Sequence, residues 1–443
     1  MKKWYQHIRW GLAMAVFFMS IGLASAAGAK DIMIFAPHED DEAIACAGVI
    51  ANAVARGDNV KLVLVTNGDF NGGRAKARTR LIQSMNAMNL LGMGQEDIIY
   101  FGYGDGTVLS PAFQNPGPVF LSTDKVTRET YGFDDLDISD FHGDVFGSPG
   151  QFTRQDILAD FRTVLDIYRP REIFVPSPME YHRDHAATAL FFYEALIALK
   201  GTSDYSPVVY EYMIYRPGLP QRPLDPTAPV TNETADMNAT PYPWDSRVTM
   251  PVPEVMMRPF ACGENLKYNM LREYGNNTGG KYDRFIRAEE IFWKRDTDNL
   301  AFSAEITVSD ENPATGQLGT KVADGVILGA PYKSAWLNPG SELSHHEREW
   351  ATRKRLAGAW VNLAWTRPRQ IDMIRLYDRP NLADRVLAGT LTFSDGSSVK
   401  VGPLPNAGSA HEIRFPEKTV TWVRFTIDRA QGKNSGLSEL EVF

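Results

Sequence analysis

Between Asp31 and Asp298 apolar and polar positions fall into a strand-helix rhythm. Asp31 to Ala36 and Asn59 to Thr66, the latter with Val60, Leu62, Val63, Leu64 and Val65, are almost uninterrupted apolar runs. That is the pattern of parallel strands buried on both faces. Helical spacing follows over residues 42–56, then 74–91 with Gly92 as its stop, 155–168, 184–200, 264–274 and 284–294. Further strands are expected at 98–101, 171–175 and 208–215. The alternation predicts a doubly wound parallel α/β sheet. Two stretches break it. Residues 102–152 are rich in Gly, Pro, Ser and aromatics, which suggests a substrate-shaping insertion, and residues 216–260 are rich in Pro, Thr and Asn. After Asp298 the pattern turns all-β, with short strands at 359–365, 371–377, 387–393, 398–401 and 420–427 and a hairpin turn at Ser394-Asp395-Gly396-Ser397. A second, sandwich-like domain follows from it.

The chain has 443 residues, enough for two domains, and its 44% hydrophobic and 23% charged content is that of a globular protein. Its first residues belong to neither domain. Lys2, Lys3 and Arg9 precede an apolar run from Gly11 to Leu23, and Ala24-Ser25-Ala26 is a small-residue cleavage site, so residues 1–26 read as a secretory signal peptide. An exported, periplasmic or extracellular protein without stable membrane insertion is expected. Removing these three cations and no acid takes the formal charge from -8 to -11, which disfavours nucleic acid or an anionic membrane as partner. Cys46 and Cys262 are the two cysteines, and their spacing alone does not pair them.

Candidate chemistry gathers at two strand ends. The first strand stops at Pro37, and His38-Glu39-Asp40-Asp41-Glu42 stand before the next helix. Acids favour helix starts, so Asp-Asp-Glu alone would pass for a solvated cap. His38 changes this, because a His and an Asp three positions apart can reach one metal ion from such a turn. The second cluster repeats the arrangement: a strand ends near Val175, and His182-Arg183-Asp184-His185 precede a helix. Two such clusters at strand ends of one α/β sheet form a metal-site constellation.

These residues resemble the PIG-L/LmbE-like zinc-dependent N-deacetylases, whose paired motifs correspond to Pro37-His38-Glu39-Asp40-Asp41-Glu42 and His182-Arg183-Asp184-His185. Thr66-Asn67-Gly68-Asp69, Gly102-Tyr103-Gly104-Asp105-Gly106 and Arg287 to Trp293 extend the resemblance over roughly residues 30–295. It implies a Rossmann-like sheet and zinc held by His38, Asp41 and His185. It further implies Asp40 as general base, His182 as donor to the oxyanion or leaving amine, and Asp184 orienting His182. Glu39 stands where the family has Pro and is expected to point to solvent. Gln83 stands where many members carry Glu, and Arg183 where Pro is frequent.

Residues 299–443 resemble a discoidin or F5/8-type galactose-binding-like jelly roll. The motifs are Ala323-Asp324-Gly325-Val326, Glu349-Trp350-Ala351-Thr352, Gly358 to Leu363, Ile374 to Pro380 and Gly436 to Val442. The resemblance admits glycan contacts from Tyr332, Trp336, His345 and His346 and a calcium ion near Asp324. A stabilising appendage with Trp350, Trp360 and Trp365 as core is the other reading. The expected organisation is a leader at 1–26, a deacetylase domain at 27–298 and the β-sandwich at 299–443. The expected activity is zinc-dependent removal of acetate from an N-acetylated sugar in a glycan or glycoconjugate. A zinc amidase acting on a non-sugar amide, and a glycan-binding protein with a vestigial catalytic domain, remain beside it.

Overall fold

The computed structural model describes residues 30–443 apart from 116, 118–127, 181, 216–224, 232–246, 276–281, 328–347, 382 and 407. The leader and the candidate glycan contacts Tyr332, Trp336, His345 and His346 lie outside the described residues. Among the described residues no helix is long and apolar enough to cross a membrane.

The N-terminal unit is an α/β domain on a seven-stranded mixed sheet. Its strands are β1 (Asp31–Ala36), β2 (Asn59–Thr66), β3 (Ile98–Tyr103), β4 (Glu172–Pro176), β5 (Val208–Tyr212), β6 (Arg247–Pro251) and β7 (Glu289–Asp296), in the order β3-β2-β1-β4-β5-β7-β6. The first five are parallel, and β7 and β6 add antiparallel at one edge. The alternation of side chains builds two cores from one strand: Ile32, Ile34 and Ala36 face one layer, Met33 and Phe35 the other. All five are buried, and each large side chain so placed contributes roughly 1.5–3 kcal/mol. The first layer is covered by helices α1 (Asp41–Ala45), α2 (Ala47–Arg56) and α3 (Gly73–Asn89). The opposite layer is covered by α4 (Leu109–Gln114), α5 (Phe141–Phe146), α6 (Arg154–Tyr168) and α7 (Arg183–Lys200).

Two expectations need correcting here. The helix expected over 42–56 is broken at Cys46, a buried free thiol that ends α1 and starts α2. The helix expected over 284–294 is largely strand β7: Phe292 enters the core, Glu289 to Trp293 pair with β6, and Trp293 to Asp296 pair with β5. Glu290 accepts the Gly48 and Val49 N–H groups at the start of α2, at 2.9 and 3.0 Å, which ties this edge to the helix after the acidic cluster. In the insertion after β3, several described aromatics pack inward while Phe146 is exposed. Tyr131 and Phe133 join one core, Phe141 and Phe152 the other.

The C-terminal unit is an antiparallel β sandwich. Strand β8 (Glu305–Val308) pairs with β10 (Trp360–Tyr377), and β9 (Trp350–Ala351) forms a two-stranded sheet with β14 (Gly436–Leu437). The larger sheet runs β12-β11-β13-β10-β15, with β11 (Arg385–Phe393), β12 (Ser398–Val401), β13 (His411–Gln431) and β15 (Glu439–Val442). The short strands expected at 359–365 and 371–377 are thus the single long β10, and the one expected at 420–427 is part of the longer β13. Their register shifts between Ala364 and Arg369, a bulge that lets the strand pass Pro368. Trp350 and Trp365 are buried in this core, and Trp360 is half-buried with Arg424 over its ring at 4.3 Å. The domains meet in part through the ion pair of Arg375 with Asp296 at 3.3 Å and through Arg348, which lies over the Phe113 ring at 4.9 Å.

Candidate metal centre

Strand order runs outward from β1 in both directions, so β1 and β4 border the crevice where connections leave in opposite senses. In open α/β sheets that crevice, at the carboxyl ends of the strands, is where ligands bind. The chain leaving β1 carries His38 to Glu42, and the chain leaving β4 carries Ser177 to His185. The chains leaving β2 and β3 add Asp69 and Asp105.

Three ligand-capable atoms converge. His38 Nδ1 lies 3.2 Å from Asp41 Oδ2 and 3.2 Å from His185 Nε2, and His185 Nε2 lies 3.1 Å from Asp41 Oδ2. Tetrahedral zinc with ligands at 2.0–2.1 Å would hold them about 3.3 Å apart, so this triangle fits one face of such a site. All three residues are buried. Asp41 Oδ2 also accepts the His38 N–H at 2.9 Å, which fixes the turn. His38, His182 and His185 form one metal-capable group of atoms within 4.8 Å of one another, and His38, Asp105 and Asp184 form a second. Among the described residues no such group forms at Asp324, which instead has Lys321 Nζ at 3.5 Å, so the calcium expectation gains no support.

The electrostatics favour a cation. Burial works against charge on His38 and His185, yet Asp105, Asp184 and Asp41 draw the His38 imidazole well above its ordinary range, and Asp41 with Glu180 draws His185 up to about 9. Asp41 is held far below the carboxylate range: burial opposes this, and the His185 and His38 imidazoles overcome it. A field that holds protons on two buried imidazoles is one in which a divalent cation can replace them.

Around the triangle the other expected residues divide. Asp40 is at the cap position of α1 but makes no side-chain cap bond. Its Oδ2 accepts the Tyr282 hydroxyl at 3.0 Å and its Oδ1 lies 3.5 Å from Arg80. It is therefore not the solvated cap that acids before a helix usually are. His182 caps α7, its Nδ1 accepting the Asp184 N–H at 3.3 Å, which assigns the ring proton to Nε2. Burial first, then His185 and His38, push its pKa down to about 4, so it is a neutral donor at neutral pH. Asp184 differs from expectation. Its Oδ2 accepts from His38 Nε2 at 3.2 Å and from the Gly106 N–H at 2.7 Å, so the ring its carboxylate orients is His38 and not His182. With Asp105 Oδ1 also 3.2 Å from His38 Nε2, the far nitrogen of that imidazole has the acceptors a ligating histidine needs.

Glu39 overturns its expectation outright. It is 0% exposed, beneath Gly68, whose positive φ of 64° and missing side chain leave room for it. A Cβ on Gly68 would lie 2.3 Å from Glu39 Oε2. Burial pushes Glu39 up to about 8, against the pull of Arg80. Arg80, from α3, lies 3.4 Å from Glu39, 3.5 Å from Asp40 and 3.4 Å from Asp105, and donates to the Glu39 carbonyl at 3.2 Å.

Sequence reasoning gave no role to Arg80, Asp105, Glu180, Tyr215 or Tyr282. Asp105 stands inside a motif stretch and Glu180 two residues before one, so both could have been found there. Arg80 is one of several cations on a polar helix face, and Tyr215 and Tyr282 lie in aperiodic chain, so no sequence signal marks them.

Residues 33–196 match the sequence profile of a family described as GlcNAc-PI de-N-acetylase, PIG-L, and residues 299–443 match a domain of unknown function, DUF7402. No curated protein matches the chain. Structural neighbours include the lectin domain of lectinolysin complexed with Lewis B antigen, at 18% identity over 33% of this chain and 95% of that one, with a TM-score of 0.25. CpGH89CBM32-5 from Clostridium perfringens, in complex with GalNAc-β-1,3-galactose, is 15% identical over 32% of this chain and 94% of that one, with a TM-score of 0.24. Chitosan-binding module 1 of a chitosanase/glucanase from Paenibacillus sp. IK-5 is 16% identical over 33% of this chain and 98% of that one, with a TM-score of 0.24. The chain thus carries a PIG-L domain, of a de-N-acetylase family, at residues 33–196, and a C-terminal β domain that matches DUF7402 at residues 299–443.

Proposed function

We propose that this protein is an exported, zinc-dependent de-N-acetylase that hydrolyses the acetamide of an N-acetylated sugar in a glycan or glycoconjugate. The observation that carries the reading is the triangle of His38 Nδ1, Asp41 Oδ2 and His185 Nε2, with Asp40 and His182 beside it. In this reading those three residues would hold zinc, which when bound would supply Lewis acidity and lower the pKa of a water. Asp40 takes the proton of the attacking water, its carboxylate held by Tyr282 and Arg80. His182, neutral and protonated on Nε2, donates a hydrogen bond to the developing oxyanion. The proton on Asp40 then passes to the leaving amine, so acetate and a free amine are the products. Asp105 and Asp184 hold the His38 ring in its ligating tautomer.

The strand order supports a Rossmann-like assignment for residues 27–298 and the paired sheets a jelly-roll-like one for 299–443. The leader pattern at residues 1–26 supports export. A sugar substrate is favoured because an exported enzyme meets N-acetylated glycans outside the cytoplasm. The test is acetate release by the mature protein across a panel of N-acetylhexosamine oligomers, glycoconjugates and non-sugar acetamides. Release from one glycan class is expected. Release confined to a non-sugar amide would overturn the sugar assignment.

A further inference from the structure

We propose that Glu180 is a positioning residue of this site, whose one buried carboxylate orients His185 as a metal ligand and sets the Tyr215 ring across His182. The inference rests on the zinc reading above. Glu180 is 1% exposed and lies between β4 and α7, five residues before His185 and two before His182. Its Oε2 accepts the Ile214 N–H at 2.6 Å and its Oε1 accepts the Tyr215 N–H at 2.9 Å. Both donors lie just past the end of β5, so this carboxylate joins the chain leaving β4 to the chain leaving β5.

The same Oε2 stands 3.5 Å from His185 Nδ1. Nε2 of that ring faces Asp41 and His38, so Nδ1 must carry the proton in a ligating histidine. Nδ1 is buried and has no hydrogen-bond partner closer than this carboxylate. A ligating histidine is oriented by such an acceptor on its far nitrogen, and here Glu180 is the group in place to serve. Tyr215 completes the arrangement. Its ring centroid lies 5.7 Å from His182 at an interplanar angle of 28°, and 5.5 Å from His185. It is 44% exposed, so the ring packs on the histidines while bordering solvent. An aromatic wall there suits the C–H face of a sugar ring beside the scissile acetamide. With its N–H held by Glu180, that wall and the metal ligand take their places from one side chain.

The experiment compares wild type with Glu180→Gln, Glu180→Asp and Tyr215→Ala. It reads the zinc dissociation constant by competition with a chromophoric chelator, and kcat and KM for acetate release. Glu180→Gln is expected to weaken zinc binding by about 10–100-fold and to raise KM. Tyr215→Ala is expected to raise KM with zinc affinity unchanged. Glu180→Asp keeps the charge but withdraws the oxygen, so it should also weaken zinc. Unaltered zinc affinity in either Glu180 variant that retains wild-type helical ellipticity overturns the proposal. A wild type that binds no zinc overturns the reading beneath it, and the proposal with it.

Discussion

Replacing Arg80 by alanine should destabilise the α/β domain by about 3 kcal/mol at neutral pH. Burial works against charge on Asp105, yet His38 and then Arg80 hold it down to about 2, so it is ionised at neutral pH and the guanidinium 3.4 Å away helps to balance it, while Glu39, raised by burial to about 8, stands there as a neutral acid. Removing one member of a buried ion pair costs about 3–5 kcal/mol, because the other charge is left in a poor solvent. Two features place Arg80 at the low end. Its contacts of 3.2–3.5 Å are longer than the 2.7–2.9 Å typical of strong charge-assisted bonds, and Asp40, 18% exposed, keeps some access to water. Asp105→Asn removes a charge that Arg80 answers, so the double variant should recover about 1–2 kcal/mol of the loss, a non-additivity expected of residues in contact. Urea unfolding followed by helical ellipticity reads this domain, because the described α-helices all precede Glu289. A single variant as stable as wild type, or a double variant whose loss is the sum of the two single losses, would refute the reasoning.

Two further outcomes follow from the same geometry. Asp40→Asn should lower acetate release by about 10²–10⁴-fold, the span of general acid-base catalysis, while zinc content stays at the wild-type level; unchanged turnover would remove Asp40 from the reaction. In the C-terminal domain, burial pushes Asp378 from the ordinary 3.8 up to about 7, so its folded form resists ionisation more than its unfolded form. Stability from this group is full below pH 3.8 and declines as pH rises to about 7, by roughly 4 kcal/mol at most, and Asp378→Asn should flatten that part of a stability-pH profile. A slope equal to wild type would show that another group carries it.

Much of the α/β domain could be read from the chain because its signals are local. The apolar runs of β1 and β2 sit on both faces of a covered sheet, and Pro37 and Pro176 mark the strand ends where the two histidine clusters emerge. What escaped the reading depends on partners distant in sequence. Residues 284–294 satisfy a helical period, and pairing with β5 and β6 decides for a strand. Glu39 looks like a surface acid until Gly68 opens a space for it and Arg80 reaches it from α3. Asp184 is close in sequence to His182, yet the turn gives His182 the Asp184 backbone N–H and sends the carboxylate to His38.

The most direct test of the account is the metal content of the purified mature protein, wild type against Asp41→Ala, after identical dialysis against zinc-buffered solution. If His38, Asp41 and His185 hold the ion, wild type carries one zinc per chain and the variant carries none. Equal zinc in both proteins, or none in wild type, would contradict the central claim.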